Sequence, residues 1–247
     1  MAPPIITQRR GGGAVTKPFS WSYSRLKNFE SCPKKHWHVD IAKDFKEEES
    51  QQLADGNAAH DALARRISAG VPIPPGFGQA TVDLYEAWAA RVSVGQGEHN
   101  VAIYVEQKLC ITKEFTHSGY FDKGAWFRGI GDVIKIVMTR AGGVALVVDW
   151  KTGKIIEDSV QLALMAQCIF ATYPVDRVRS EFVWLKEDAS TSQTFSRADM
   201  PEFWAGLWPR IEQLEHAHNT TTYPAKPGGL CKKYCPVRDC PYYGKGA

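Results

Sequence analysis

Hydrophobic spacing changes character at roughly residue 100 of this chain. Before that point, apolar residues recur three or four positions apart, as with Leu26 and Phe29 or Leu63 and Ile67, which is typical of helices. The pattern predicts helices over residues 22–30, 55–69 and 79–94, and a further helix that begins at Pro33, since proline fits a first helical turn. We therefore expect a helical subdomain at the N-terminal end.

The second part of the chain alternates between apolar runs and amphipathic segments. Strands are predicted over residues 101–112, 127–138, 144–150, 179–186 and 193–197, and helices over residues 157–173 and 199–218. Arg140-Ala141-Gly142-Gly143 has the composition of a hairpin turn, and the last two strands are expected to pair. This order predicts an α/β (mixed α+β) fold, in which helices flank a central mixed β-sheet.

The length of 247 residues suits one domain from residue 19 to residue 247, preceded by a disordered arm over residues 1–18. Within it we expect a helical part (19–100), a catalytic core (101–200), and a C-terminal helix with a cysteine cluster (201–247). No stretch is apolar enough to span a membrane or to act as a signal peptide, which makes the cytoplasm the expected location. The net charge of +3 permits nucleic acid binding without requiring it.

The six cysteines fall into two groups. Cys110 and Cys168 lie in apolar runs and are expected to be buried packing residues. Three more cysteines crowd the C-terminal end, and one lies near the N-terminal end: Cys231, Cys235, Cys240 and Cys32. In a reducing compartment, such a group favours a metal ion or a cluster over disulfides.

The most informative segment is Asp149-Trp150-Lys151, at the end of an apolar strand. Side chains two apart point to the same face of a strand, so a carboxylate and an amine share one face. If Arg140 pairs with Gly143 across the hairpin, Asp132 faces Lys151, with Cβ atoms about 5 Å apart. Two aspartates and a lysine in an apolar sheet indicate a cation site for phosphodiester hydrolysis or, alternatively, a buried Asp132–Lys151 ion pair.

Three other polar residues are weaker candidates on their own. His60 lies in a predicted helix, where a lone histidine is commonly a surface or core-edge residue rather than a ligand. Gln161 follows the lysine strand, near the start of the next predicted helix, and solvation there explains it equally well. Glu106, inside the first predicted strand, is either a third carboxylate of the site or a charge at the sheet edge.

Taken in order, these pieces resemble the PD-(D/E)XK nuclease superfamily and, within it, the RecB-like branch that includes CRISPR-associated and phage exonucleases with an iron-sulfur cluster. The resemblance runs over residues 20–243. It is carried by six segments: Ser22-Tyr23-Ser24-Arg25-Leu26 with Cys32-Pro33, Gly56 to His60, Gly131-Asp132, Asp149-Trp150-Lys151, Gln161, and the three C-terminal cysteines. Two departures are Met165, where the family often has tyrosine, and the wider spacing between those cysteines.

The resemblance implies a restriction-endonuclease-like core and a metal-dependent DNA nuclease, an exonuclease rather than an endonuclease, in a bacterial or phage-infected cell. Its implied metal ligands for Mg²⁺ or Mn²⁺ are His60, Asp132, Asp149 and the backbone carbonyl of Trp150, with Glu106 as a further candidate. Lys151 and Gln161 would act with Asp132 and Asp149 in catalysis. An imidazole ligand suits Mn²⁺ better than Mg²⁺, so Mn²⁺ is expected to support activity at least as well.

The resemblance also implies that Cys32, Cys231, Cys235 and Cys240 bind a [4Fe-4S] cluster, a C-terminal cysteine clasp that joins the two ends of the domain. Closing a loop of roughly 200 residues would stabilise the fold by an amount on the order of several kcal/mol. Zinc bound by the same thiolates, a three-cysteine zinc site and unliganded thiols remain alternatives. The basic residues near this end could contact DNA phosphates or simply be solvated.

Other functions remain open on the sequence alone. A catalytically silent DNA-binding subunit of a recombination or CRISPR-adaptation complex would keep the same fold. A site-specific restriction endonuclease would need a separate recognition element, which the sequence does not suggest. No phosphate-binding glycine-rich loop of a helicase is present, so DNA unwinding would require a partner helicase or recombination protein.

Overall fold

The structure is a computed structural model that describes residues 18–47, 50–156 and 158–245. The predicted N-terminal arm, apart from Pro18, lies outside the described residues. The helices are α1 (Tyr23–Ser31), α2 (Pro33–His36), α3 (Gln51–Ala69), α4 (Gln79–Ser93), α5 (Ser159–Thr172) and α6 (Met200–Thr220). The strands are β1 (Val101–Ile111), β2 (Phe127–Thr139), β3 (Gly142–Lys151), β4 (Arg177–Trp184) and β5 (Ala189–Ser196).

The five strands form one sheet in the order β1-β2-β3-β4-β5. β1, β2 and β3 are antiparallel neighbours, and so are β4 and β5. β3 and β4 are parallel, because α5 carries the chain from the end of one to the start of the other. The sheet is therefore mixed and flanked by helices, which confirms the predicted fold class.

Two apolar cores lie against the sheet. The larger packs α1, α5 and α6 against it and contains Leu26, Leu164 and Trp204. The smaller packs α3 and α4 against the strands, with Leu63 and Trp88 among its buried residues. The strands are covered on both sides where the cores lie, which accounts for their nearly continuous apolar runs. Among the described residues, no helix combines the length and apolar character that a membrane crossing needs.

Capping side chains set two helix starts that the periodicity misplaced. α3 begins at Gln51, four residues before the predicted start, because the Ser50 side chain accepts a hydrogen bond from the Leu53 amide. α5 begins at Ser159, with Asp158 as its N-cap. Its predicted first residue, Glu157, lies outside the described residues. The helix predicted from Pro33 is only one turn long and continues as a π-helix over Trp37–Ala42.

The predicted register of the β2–β3 hairpin is wrong by two residues. Thr139 pairs with Gly142, so the turn is Arg140-Ala141. The Thr139 hydroxyl donates to the Gly142 carbonyl at 2.7 Å, and Gly142 adopts a φ of 125°, which favours glycine. Ile134 consequently faces Val147 rather than Asp149. Asp132 does not face Lys151, and the predicted Asp132–Lys151 pairing is lost.

We expect Leu63→Ala, in the smaller core, to lower the free energy of unfolding by about 2–5 kcal/mol, because the side chain is fully buried. Leu53→Ala in the same helix is the matched control: Leu53 is 53% exposed, so a loss within about 0.5 kcal/mol is expected. Urea unfolding followed by circular dichroism measures both. Equal losses would contradict the packing of α3 on the sheet.

Candidate active site

Asp149 and Lys151 lie at the C-terminal end of β3, where pairing with β2 has ended and pairing with β4 continues. The Lys151 Nζ atom lies 2.5 Å from Asp149 Oδ2, so the two side chains form an ion pair. The same ammonium lies 4.7 Å from the centre of the Phe182 ring on β4. The Asp149 carboxylate is buried and Lys151 is half-buried. The lysine ammonium therefore contacts both a negative charge and an aromatic ring, each of which attracts it.

Gln161, in the first turn of α5, bridges these two side chains. Its amide nitrogen donates to Asp149 Oδ1 at 2.8 Å, and its amide oxygen accepts from Lys151 Nζ at 3.2 Å. The N-cap residue Asp158 also accepts from the Tyr23 hydroxyl on α1, which ties the start of α5 to the larger core. Asp158 is not among the site residues predicted from the sequence. A capping residue before a predicted helix was the available signal.

Asp132 joins β2 to β3 through its side chain. The backbone pairing between these strands ends at Val133 and Val148. Beyond that pair, Asp132 Oδ2 accepts the backbone N–H of Trp150 at 2.7 Å. The carboxylate is buried, and one of its oxygens accepts a backbone hydrogen bond. Its position relative to β3 is therefore fixed.

His60 reaches this carboxylate from α3. Its Nδ1 atom lies 3.4 Å from Asp132 Oδ2, and its Nε2 atom lies 2.9 Å from the Trp150 carbonyl oxygen. The helix approaches closely at Gly56, where a Cβ would lie 3.0 Å from Thr152 Oγ1. The histidine is therefore brought to the end of β3 rather than left on an exposed helical face.

Glu106 completes the group from β1. The pairs Val105–Val133 and Gln107–Gly131 flank it, so Glu106 and Asp132 lie across from each other on neighbouring strands. Glu106 adopts a φ of 50°, which is uncommon for a residue other than glycine. One ligand atom each from His60, Glu106 and Asp132 lies within 4.8 Å of the others, and within the described part of the chain this is the one such group.

The electrostatics of this group fit a cation. Burial lowers the pKa of His60, but Asp132, Asp149 and Glu106 outweigh that effect and the pKa lies above its ordinary value. Burial and the charge of Asp132 raise the pKa of Glu106, and burial raises the pKa of Asp149 against the opposing Lys151 charge. The carboxylates are thus short of positive charge, and a divalent ion on oxygen and imidazole ligands would supply it.

A comparison with protein-family models matches residues 20–240 to the model for the PD-(D/E)XK nuclease superfamily. The chain belongs to the PD-(D/E)XK nuclease superfamily. Nucleases of this superfamily use divalent metal ions, which agrees with the donor set of His60, Glu106 and Asp132. Membership makes the chain a metal-dependent nuclease and implies DNA as its substrate.

A comparison with solved structures finds a likeness in fold to this PD-(D/E)XK nuclease. A protein from Eubacterium rectale, named as a candidate exonuclease, shares 13% sequence identity over 91% of this chain and 87% of its own, with a TM-score of 0.51. The structure of SSO0001 shares 11% identity over 93% of this chain and 89% of its own, with a TM-score of 0.41. No protein with a curated description matches the chain significantly.

The nuclease brings the predicted residues together in two linked sets. One set is Asp149, Lys151 and Gln161, joined by the contacts of the glutamine. The other is His60, Glu106 and Asp132, whose ligand atoms converge. Asp149 lies outside that converging group. The Trp150 carbonyl, predicted as a metal ligand, contacts His60.

The four clustered cysteines line one cavity of about 250 Å³ between the α1–α2 junction and the C-terminal segment. Cys32 Sγ accepts the Lys226 amide at 3.4 Å. The remaining cysteines, Cys110 and Cys168, are buried, as predicted.

We expect Mn²⁺ added to EDTA-treated protein to raise the melting temperature, since an ion that binds the native state stabilises it. Glu106→Gln should reduce that rise by removing a ligand charge, and His60→Gln should do so as well. Glu98→Gln, which alters a carboxylate just before β1, should leave the rise unchanged. Differential scanning fluorimetry measures all four proteins. An undiminished rise in both site variants would argue that the ion binds elsewhere.

Proposed function

We propose that this nuclease is a metal-dependent DNA exonuclease whose active site lies where β3 ends. The observation that carries the proposal is the convergence of His60, Glu106 and Asp132 beside the Asp149–Lys151 ion pair. Together these groups offer cation ligands and a positively charged side chain, both of which phosphodiester hydrolysis requires.

The proposed cation ligands are His60, Glu106 and Asp132. Asp149 and the Trp150 carbonyl are proposed as further ligands, since both residues line the same cavity as His60 and Glu106. Glu106, only a further candidate on the sequence, becomes a principal ligand in this proposal. A bound divalent cation would offset charge that develops on the phosphate and favour deprotonation of the water nucleophile. The imidazole favours Mn²⁺ over Mg²⁺ as the supporting ion.

Lys151 is proposed to orient the attacking water or to neutralise the scissile phosphate. Asp149 and Gln161 hold its ammonium at a fixed position, so little reorganisation is needed when charge develops on the phosphate. Hydrolysis adds the water oxygen to phosphorus and releases the alkoxide oxygen of the departing nucleotide, which takes up a proton.

Exonuclease action is proposed partly because the similar Eubacterium rectale protein carries that designation. A role in DNA repair, recombination or phage DNA processing, in the bacterial or phage-infected cytoplasm, is consistent with such an activity. A helicase or recombination protein would then supply unwound DNA. The alternative is a catalytically silent DNA-binding subunit, which would not require Lys151.

We also propose that Cys32, Cys231, Cys235 and Cys240 bind a [4Fe-4S] cluster. In such a cluster each thiolate binds a different iron, so the sulphurs are held further apart than on a single ion. The proposal is supported by the four cysteines around one cavity, which offer the four thiolates that such a cluster needs. Zinc is the alternative cofactor at the same thiolates.

We expect Lys151→Ala to reduce cleavage of end-labelled DNA by on the order of 100- to 1,000-fold, because a charge positioned for the transition state is removed. Lys154→Ala, which removes an exposed lysine three positions along, is the matched control and should cleave like wild type. Single- and double-stranded substrates, linear and circular, should be compared in Mg²⁺ and Mn²⁺.

Several results of that assay would count against parts of the proposal. Wild type that leaves every DNA intact in both ions would favour the silent subunit. Cleavage of closed circles would show endonuclease action. Distinctly poorer cleavage in Mn²⁺ would oppose His60 as a ligand.

Anaerobically purified protein is expected to be brown and to contain about four iron atoms per chain, the content of a [4Fe-4S] cluster. Cys235→Ser should lose the visible absorption, whereas Cys110→Ser, at a buried cysteine outside the group, should keep it. Colourless protein with stoichiometric zinc would establish the alternative metal.

A further inference from the structure

A pair of aromatic side chains stands near the candidate active site, in the segment that connects β1 to β2. Tyr120 and Phe121 pack edge to face with ring centres 5.1 Å apart. Tyr120 is half-buried, but Phe121 is 81% exposed, the most exposed large apolar side chain among the described residues.

The segment that carries this pair is firmly anchored. Phe115 stacks on Trp204 of α6 with ring centres 4.5 Å apart, and Trp126 packs beside it in the larger core. The turn itself is closed by the Gly119 amide, which donates to Asp122 Oδ2 at 2.9 Å. A Cβ at Gly119 would lie 2.6 Å from that carboxylate oxygen, so glycine leaves room for the contact that closes the turn. The rings are therefore presented on a fixed support.

Positive charge surrounds the two rings. The Lys108 ammonium on β1 lies 5.6 Å from the Tyr120 ring centre and 5.2 Å from that of Phe121. The Arg128 guanidinium on β2 lies 5.8 Å from the Tyr120 ring centre and donates to the Tyr120 carbonyl at 2.6 Å. The nearby carboxylate of Asp122 is turned onto the Gly119 amide. Exposed aromatic rings can stack on nucleobases, and neighbouring cations can contact the phosphates of the same strand. The patch therefore has the chemistry of a nucleic-acid binding site.

Tyr120 of this patch and Lys151 of the proposed active site border one cavity. Its volume is about 420 Å³, and Arg128 and Gln161 also line it. A second cavity, of about 540 Å³, is lined by Lys151 together with His60, Glu106 and Asp149. Lys151 thus borders both cavities, and a strand whose phosphate lies at Lys151 would extend from one into the other.

We propose that Tyr120, Phe121 and Lys108 form a stacking site for unpaired bases of a single DNA strand that passes Lys151. The inference rests on the proposed nuclease function and specifies its substrate. In a duplex, neighbouring base pairs cover the faces of each base, so an exposed ring can stack only on an unpaired base or a terminal pair. Lys108 would contact the phosphates of the same strand.

The binding test uses fluorescence anisotropy of labelled oligonucleotides with the full chain in EDTA, which prevents hydrolysis. Phe121→Ala should weaken binding of a single-stranded oligonucleotide by about 5- to 100-fold, the effect expected for loss of one stacked base. Binding of a covalently closed circular duplex, which has neither unpaired bases nor a terminal pair, should change by less than about twofold. Phe121→Trp should keep single-strand affinity, and Val94→Ala, at a 65% exposed residue at the end of α4, is the control for an exposed apolar side chain.

Two further measurements separate stacking from general attraction. Abasic sites placed along the oligonucleotide should weaken binding of wild type at one or two positions, and those losses should vanish in Phe121→Ala. Lys108→Gln should lower the slope of log affinity against log salt by about 0.7, the value for one single-strand phosphate contact.

Unchanged single-strand affinity in Phe121→Ala, or equal losses for single strand and duplex, would overturn the proposal. Wild type that binds no single strand in EDTA would overturn it as well. These outcomes are distinct from failure of the nuclease proposal, which is judged by cleavage in Mg²⁺ or Mn²⁺. Base-dependent binding by a protein that cuts no DNA would support the stacking site and refute only the nuclease.

Discussion

The candidate site depends on the hydrogen bond between the Asp132 carboxylate and the backbone N–H of Trp150. This contact takes over where the backbone pairing of β2 and β3 stops. It holds a carboxylate against the strand that carries Asp149 and Lys151. The Trp150 carbonyl in turn contacts His60, so the backbone of Trp150 is held at both its N–H and its carbonyl. Without that hydrogen bond, the buried N–H of Trp150 would be unpaired, and the Asp132 carboxylate would no longer be held against β3.

Much of the fold could be predicted because its signals are local. Helical spacing located α4, α5 and α6 to within a few residues, and apolar runs located all five described strands. The ends were less predictable, because single side chains such as Ser50 decide them. The hairpin register failed for a similar reason. Arg140 to Gly143 contains two adjacent glycines, and only the φ of Gly142 and the Thr139 hydroxyl select which residues form the turn.

The candidate site was predictable to a different extent in its two halves. Lys151 and Gln161 are separated by a short connection, so their proximity follows from the order of strand and helix. The place of Glu106 beside Asp132 depends on the pairing of β1 with β2 and on an unusual backbone angle. Nothing in the sequence around Glu106 indicates that angle. The aromatic pair at Tyr120 and Phe121 could not be predicted as a binding site for a related reason. Its contact with Lys108, on another element, cannot be inferred from the local sequence.

The origin of the proposed cation ligands has a consequence for motion. His60 belongs to the two-helix layer of α3 and α4, whereas Glu106 and Asp132 belong to the sheet beneath it. Any local opening that lifts α3 would separate the imidazole from both carboxylates. A cation bound by all three side chains would therefore hold α3 against the sheet. α3 could not open while all three ligands bind the cation. Amide hydrogen exchange in α3 would then slow on loading, far more than exchange in α6 on the opposite side of the sheet.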